Sequence, residues 1–165
     1  MIASANELCL NDLKGKCRAL CVDYGEKRVG VAISDINWKI ASPLLVLENH
    51  GVYSRLLEII NEQDVGVIVV GAPLALNGES GGKQLEKVQR FVDNLEKKVN
   101  TPIVMWDERL STHGADRVLT NACITKYKRR TYIDKIAASF ILEGFLYYCE
   151  NIGIRGDNLS YSSKL

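Results

Sequence analysis

Histidine and paired cysteines are scarce in this chain, and their scarcity limits the metal chemistry open to it. Only two histidines occur among 165 residues, and the cysteines contain no C-x-x-C pair. A zinc site built from cysteine and histidine is therefore not expected. The cysteines are odd in number, which favours a reducing, cytoplasmic environment over a disulfide framework. They are Cys9, Cys17, Cys21, Cys123 and Cys149.

Long apolar runs and an excess of charge of one sign are also lacking. No run approaches the roughly 20 apolar residues of a membrane-spanning helix. The first residues include Glu7 and Asp12 and have no apolar core, so a signal peptide is not expected either. The formal net charge is +1 at pH 7. A nucleic-acid partner would therefore need a local basic patch, because the whole molecule has no strong positive field.

The apolar pattern predicts an α/β fold, a mixed five-stranded sheet with helices on both faces. Short apolar runs favour strands at 17–23, 28–34, 42–49, 65–73 and 101–110. Helical spacing favours helices at 52–64, 81–100, 111–122 and 132–150. We expect one domain over residues 17–150, an N-terminal extension over 1–16 and a polar, flexible tail over 151–165.

Residues typical of turns, strand edges and loops refine this prediction. "YGEK" between the first two strands is typical of a hairpin turn. Pro43 places the third strand at a sheet edge or at its own start. "VVGAPLALNGESGG", residues 69–82, is expected to form a long glycine-rich loop between strand and helix.

Acidic residues stand at the predicted ends of three elements. Asp23 ends the first strand, and Asp107 and Glu108 end the fifth. Asp134 is predicted in the first turn of the last helix. Ligand sites in open α/β sheets gather outside the carboxyl ends of strands, so these groups are expected to converge. Converging carboxylates need a cation, and oxygen ligands favour Mg²⁺ or Mn²⁺. Two such ions about 3.5–4 Å apart can assist phosphodiester hydrolysis.

Each acid also has a purely structural interpretation. Asp23 in "DYG" suits a turn, and Asp134 could complement the helix dipole. Glu108 could form a surface ion pair with Arg109. Strand alternation places only one of Asp107 and Glu108 on a given face, and the sequence does not decide which.

Four motifs carry a resemblance to a known family. In chain order they are "VDYGEKRVGVAISD", "VVGAPLALNGESG", "DERLST" and "RRTYIDKIAASFIL". Together they span about Arg18 to Tyr148 and resemble the YqgF/RuvX family. That family is described both as Holliday junction resolvases and as pre-16S rRNA nucleases. The resemblance implies an RNase H-like fold, which agrees with the predicted order of elements.

The resemblance also implies which acids act. It implies Asp23, Glu108 and Asp134 as the acidic triad. These are the predicted catalytic residues and, because converging carboxylates need a cation, the predicted ligands of Mg²⁺ or Mn²⁺, with two ions bound. Many nucleases of the wider RNase H-like superfamily carry an acid at the end of the fourth strand. This chain reads "VVGAPL" there, so the second acid is expected from "DER". We prefer Glu108 to Asp107.

Basic residues near these acids are expected to bind the nucleic-acid backbone. Two of them, Arg129 and Arg130, belong to "KYKRR", which is predicted to be a basic loop at 126–130. Such runs are also compatible with a solvated surface. The predicted substrate-binding residues are Lys27, Arg28, Arg109, Arg129 and Arg130.

The predicted function is a metal-dependent nuclease, a hydrolase that processes the 5′ end of pre-16S rRNA in ribosome biogenesis. A four-way DNA junction is the alternative substrate, and its symmetric cleavage would need a two-fold dimer. The sequence does not distinguish a monomer from a homodimer. A non-catalytic nucleic-acid-binding module is a further alternative. An actin-like ATPase is not expected, because those enzymes clamp a nucleotide between two domains of this kind.

Overall fold

A five-stranded sheet forms the centre of the protein, as the apolar runs predict. The structure, a computed structural model, describes residues 13, 15–72, 79–107 and 126–151, with the backbone alone at 79–81, 126–135 and 151. The strands are β1 (Arg18–Tyr24), β2 (Arg28–Ser34), β3 (Ala41–Glu48), β4 (Val65–Ala72) and β5 (Ile103–Asp107). The helices are α1 (Val52–Glu62), α2 (Glu79–Glu96) and α3 (Lys126–Asn151).

The strand order β3-β2-β1-β4-β5 confirms the predicted mixed sheet. β1 to β3 form an antiparallel meander, whereas β4 pairs in parallel with both β1 and β5. The side chains of β4 alternate between two buried cores, so both of its faces are covered, which explains its nearly continuous apolar sequence. β3 is an edge strand, so Pro43 stands where a missing backbone donor is tolerated.

Alternation along the strands sorts the side chains onto two different faces. Large residues such as Leu20 and Val22 face one core, which α1 and α2 complete with Leu56 and Phe91. Ala19, Cys21 and Ala32 face the second core, which α3 covers. Because these three side chains are small, α3 can pack closely against the sheet.

Phe145 is the centre of the second core. It is fully buried on α3. Its ring centroid lies 6.1 Å from that of Trp38 and 5.5 Å from that of Trp106. Trp38 is held by a 2.9 Å hydrogen bond from its Nε1 to the Cys17 carbonyl. The aromatic cluster therefore ties α3 both to the start of β1 and to β5.

Two sequence predictions about element boundaries were wrong. "KYKRR" is helical, because α3 begins at Lys126 and not near 132; Lys and Arg are good helix formers, so the basic run extends the helix. The glycine-rich loop is shorter than 69–82, because β4 continues to Ala72 and α2 begins at Glu79. The helix predicted at 111–122 lies outside the described residues.

None of the helices in the described ranges has both the length and the apolar character needed to cross a membrane.

Candidate active site

Asp23 lies at the carboxyl end of β1, one residue before the strand ends. It pairs with Gly30 of β2, and its neighbour Val22 pairs with Val70 of β4. Alternation from Cys21 places Asp23 on the face that α3 covers. Its side chain is half-buried. The first predicted acid thus stands at the rim of the sheet, between the core and solvent.

β5 brings a second acid to the same edge of the sheet but to the other face. Asp107 pairs with Ala72 at the carboxyl end of β4. Trp106, its neighbour, belongs to the core under α3, whereas Met105 packs against the core under α1 and α2. Alternation therefore assigns Asp107 to the face opposite Asp23. Glu108, the preferred acid, lies outside the described residues.

The third predicted acid belongs to α3, but not to its first turn. Asp134 is the ninth residue of a helix that begins at Lys126. A helix dipole acts within about one turn of the end, so the dipole interpretation of Asp134 does not apply. Position 134 is one turn before Ala138, which is fully buried in the core under α3. The side chain of Asp134 is not among those described.

A tight turn follows Asp23, and it requires Gly25. The Gly25 N–H donates to the Arg28 carbonyl at 3.0 Å. A Cβ added to Gly25 would lie only 2.5 Å from that same oxygen. The chain can therefore reverse immediately after Asp23 only because residue 25 has no side chain.

Asn49 holds this turn from the end of β3. Its backbone N–H donates to the Lys27 carbonyl at 3.1 Å. Its Nδ2 donates at 3.1 Å to each of three oxygens, the Tyr24 hydroxyl and the carbonyls of Gly25 and Glu26. Sequence reasoning missed this residue, because no local pattern connects position 49 with a turn more than 20 residues earlier.

Helix α2 holds the same turn from the other side. Gln84 Nε2 donates to the Tyr24 carbonyl at 3.4 Å, and Lys87 pairs with the Glu26 carboxylate. The hydrogen bond and positive charge of Lys87 lower the pKa of Glu26. Together with Asn49, these contacts define the backbone that follows Asp23.

The predicted substrate-binding residues divide into two groups. Lys27 is exposed and Arg28 half-buried in the turn beside Asp23. Arg109 lies outside the described residues. Arg129 and Arg130 belong to the first two turns of α3, and only their backbone is described.

The described side chains include no group of three histidine, cysteine or acidic residues that could hold a metal ion. Of the three predicted ligands, Asp23 alone has a described side chain. Its carboxylate at a half-buried rim is a hard oxygen donor of the type that Mg²⁺ and Mn²⁺ prefer.

A family model described as RuvX, Holliday junction resolvase, matches residues 17–148. The chain belongs to the RuvX family. Family members at 38–44% identity are named as candidate pre-16S rRNA nucleases. One, from Thermoanaerobacter pseudethanolicus, is 44% identical over 133 residues, which cover 78% of this chain and 95% of the relative. Another, from Bartonella tribocorum, is 38% identical over 154 residues, 92% of this chain and 97% of the relative.

Solved structures support the fold that the RuvX motifs implied. RuvC of T. thermophilus, solved in complex with a Holliday junction substrate, superposes with a TM-score of 0.55 at 11% identity. The match covers 82% of this chain and 96% of RuvC. At this identity the likeness establishes a RuvC-like RNase H fold for this RuvX family member and nothing finer, and the predicted fold class is confirmed.

Proposed function

We propose that this protein is a metal-dependent nuclease that hydrolyses phosphodiester bonds during 5′-end processing of pre-16S rRNA. The observation that carries the proposal is membership of the RuvX family, together with relatives named as candidate pre-16S rRNA nucleases that match 78% to 92% of the chain. The position of Asp23 at the carboxyl edge of the sheet supports it, since ligand sites of open α/β sheets lie there.

The proposed catalytic acids are Asp23, Glu108 and Asp134. Asp23 lies on the face covered by α3, and Asp134 belongs to α3 itself. Asp107 is assigned to the opposite face, so continued alternation along the chain supports Glu108 as the second acid. The three residues then share one side of the sheet.

These carboxylates would hold Mg²⁺ or Mn²⁺, as two ions in the predicted arrangement. When bound, such ions activate a water molecule and neutralise the charge that develops on the phosphate. The contribution of the chain is to orient its acids. The turn held by Asn49 and Gln84 keeps the end of β1 in one conformation. Lys27 and Arg28 in that turn, with Arg109, Arg129 and Arg130, are the proposed contacts to the substrate backbone.

Conservative substitutions test the proposed acids. Asp23→Asn, Glu108→Gln and Asp134→Asn keep the side-chain shapes and remove the charges that hold a cation. Each should reduce cleavage of a pre-16S rRNA fragment in Mg²⁺ or Mn²⁺ by at least a hundredfold, without loss of thermal stability. Asp93→Asn is the matched control, because Asp93 is an exposed acid on α2. Full activity of Asp23→Asn would contradict the proposed site.

The substrate is tested by comparing two nucleic acids in one assay. The purified protein is incubated with pre-16S rRNA fragments and with synthetic four-way DNA junctions. We expect the RNA to be cut near the mature 5′ end and the junction to remain intact. Cleavage of the junction alone would contradict the rRNA substrate and identify the protein as a junction resolvase. Light scattering should then show a dimer.

A further inference from the structure

The exposed charged residues of α2 with described side chains divide by sign into two adjacent strips. Lys83, Lys87 and Arg90 are all exposed and follow one another at spacings of four and three, so they form one strip along the helix. Glu86 and Asp93, also exposed, are seven apart and form a neighbouring strip. The face of α2 that looks to solvent therefore has a cationic side and an acidic side.

The contacts of α2 show which side borders the candidate active site. Lys87 pairs with Glu26, and Gln84 donates to the Tyr24 carbonyl. Around the helix axis, Gln84 lies farther from the acidic strip than Lys87 does. Both partners belong to the turn that follows Asp23. With about 100° of rotation per residue, the cations lie between this turn and the acidic strip. The cationic side is thus continuous with Lys27.

The strip also has a direction. α2 follows the carboxyl end of β4 and returns towards the start of β5. Its first turns therefore lie at the edge of the sheet that carries Asp23, and its last turns lie at the opposite edge. Exposed Lys97 and Lys98 follow just past the helix end, where the Lys98 ammonium lies 5.8 Å from the centroid of the Tyr53 ring. From Lys83 to the helix end at Glu96 the rise along the axis is about 20 Å at about 1.5 Å per residue.

We propose that this strip, defined as Lys83, Lys87, Arg90, Lys97 and Lys98, binds the phosphodiester backbone of the substrate on the face of the sheet opposite the proposed acids, and that this backbone reaches the active site around the carboxyl edge of the sheet, past the turn that follows Asp23. The inference rests on the proposed function and adds the path of the substrate to it. The net charge of the protein is only +1, so a polyanion needs a local surface where cations are segregated from acids. The chemistry recognised is the phosphate, and bases are not read.

The test measures binding without cleavage, in the Asp23→Asn background. The strip variant is Lys83→Gln with Arg90→Gln. The matched control is Lys16→Gln with Lys39→Gln, two exposed lysines at the other end of the sheet, near the start of β1 and the Trp38 loop. Lys39 pairs with Glu150 of α3, and a surface ion pair of this kind contributes little to stability. Affinity for a labelled single-stranded RNA and for a DNA of the same sequence is measured by anisotropy from 50 mM to 500 mM salt.

The strip variant should bind both nucleic acids about tenfold more weakly at 50 mM salt. The slope of log affinity against log salt should fall by about 1.4, since each single-strand phosphate contact contributes about 0.7. The control should bind within twofold of the parent. Lys83→Arg with Arg90→Lys should retain the parental affinity, because it keeps both charges.

Equal weakening in strip variant and control would overturn the proposal, because it would show a general effect of charge. Weaker binding of the RNA alone would overturn the proposal too, since the RNA and the DNA carry the same phosphates. In the active protein, the strip variant should raise KM and leave kcat at saturating RNA unchanged. Absence of cleavage by the unsubstituted protein would contradict the proposed nuclease function, whereas the binding comparison would still decide whether the strip is used.

Discussion

Removing the side chain of Asn49 tests whether the turn after Asp23 is held for catalysis. Nδ2 has two hydrogens and three acceptors, each at 3.1 Å, in the segment Tyr24–Glu26. Asn49→Ala therefore removes the equivalent of two hydrogen bonds. Each bond contributes about 1 kcal/mol, and water restores part of that loss at this half-buried site. The free energy of unfolding should therefore fall by about 1–2 kcal/mol. The backbone bond from Asn49 to the Lys27 carbonyl should remain.

The effect on activity should exceed the effect on stability. In a domain of this size about 1–2 kcal/mol lowers Tm by about 2–8 °C, which leaves the protein folded at 25 °C. A turn with fewer fixed positions lets Asp23 depart from its reactive position, and small displacements can cost up to about a hundredfold in rate. We expect kcat for rRNA cleavage to fall at least tenfold with KM nearly unchanged.

Calorimetry and single-turnover cleavage provide the two measurements. Asn61→Ala is the control, because Asn61 is exposed on α1. Asn49→Asp should be more harmful than Asn49→Ala, since it points a negative charge at the two carbonyl oxygens of Gly25 and Glu26. A normal kcat in a variant with lowered Tm would refute the coupling between this turn and catalysis. An unchanged Tm would show that the three bonds contribute nothing.

Three further predictions follow from single residues. Gly25→Ala should lower stability by on the order of 1–3 kcal/mol in melting experiments, because its Cβ would stand 2.5 Å from a carbonyl oxygen. Gly82→Ala is the control and should be harmless, because its Cβ would meet nothing within 4 Å. Phe145→Ala should cost about 3–5 kcal/mol in urea unfolding, because Phe145 is fully buried among aromatic rings; a cost below about 1 kcal/mol would contradict its central role. Burial raises the pKa of Asp35, but N–H donors of Ile40, Lys39 and Asn37 outweigh burial and leave that pKa below its ordinary value. The stability that ionised Asp35 adds is therefore present above its unfolded pKa of about 3.9 and is lost as pH falls through its lower pKa in the folded protein. Asp35→Asn should be less stable than the wild type by about 1 kcal/mol at pH 7 and equally stable at the lowest pH.

Much of the fold could be predicted because its signals are local. The apolar runs at 28–34 and 65–73 identified β2 and β4 almost to the residue. Pro43 correctly indicated an edge strand. The errors arose where composition was ambiguous. "KYKRR" has no apolar residue pattern to mark it as helical, although its residues favour a helix once α3 has formed.

The candidate site could be predicted only in part, for the same reason. Asp23 was identifiable because a charge directly after an apolar run is unusual, and Gly25 because a tight turn had to follow. Asn49 and Gln84 gave no such signal. They act on the turn from 22 residues or more away in the chain, so nothing near them in the sequence reports their role.

The amino-acid sequence by itself determined the elements, their order and the family, because periodicity and motifs depend on neighbouring residues. Only the tertiary structure decided the face on which each acid lies. The registers of β1, β4 and β5 assign Asp23 and Asp107 to opposite sides of the sheet. It also decided that the cationic side of α2 borders the turn, because the contacts of Lys87 and Gln84 orient the helix. Register and helix orientation are set by contacts between distant segments, and a pattern of neighbouring residues does not contain them.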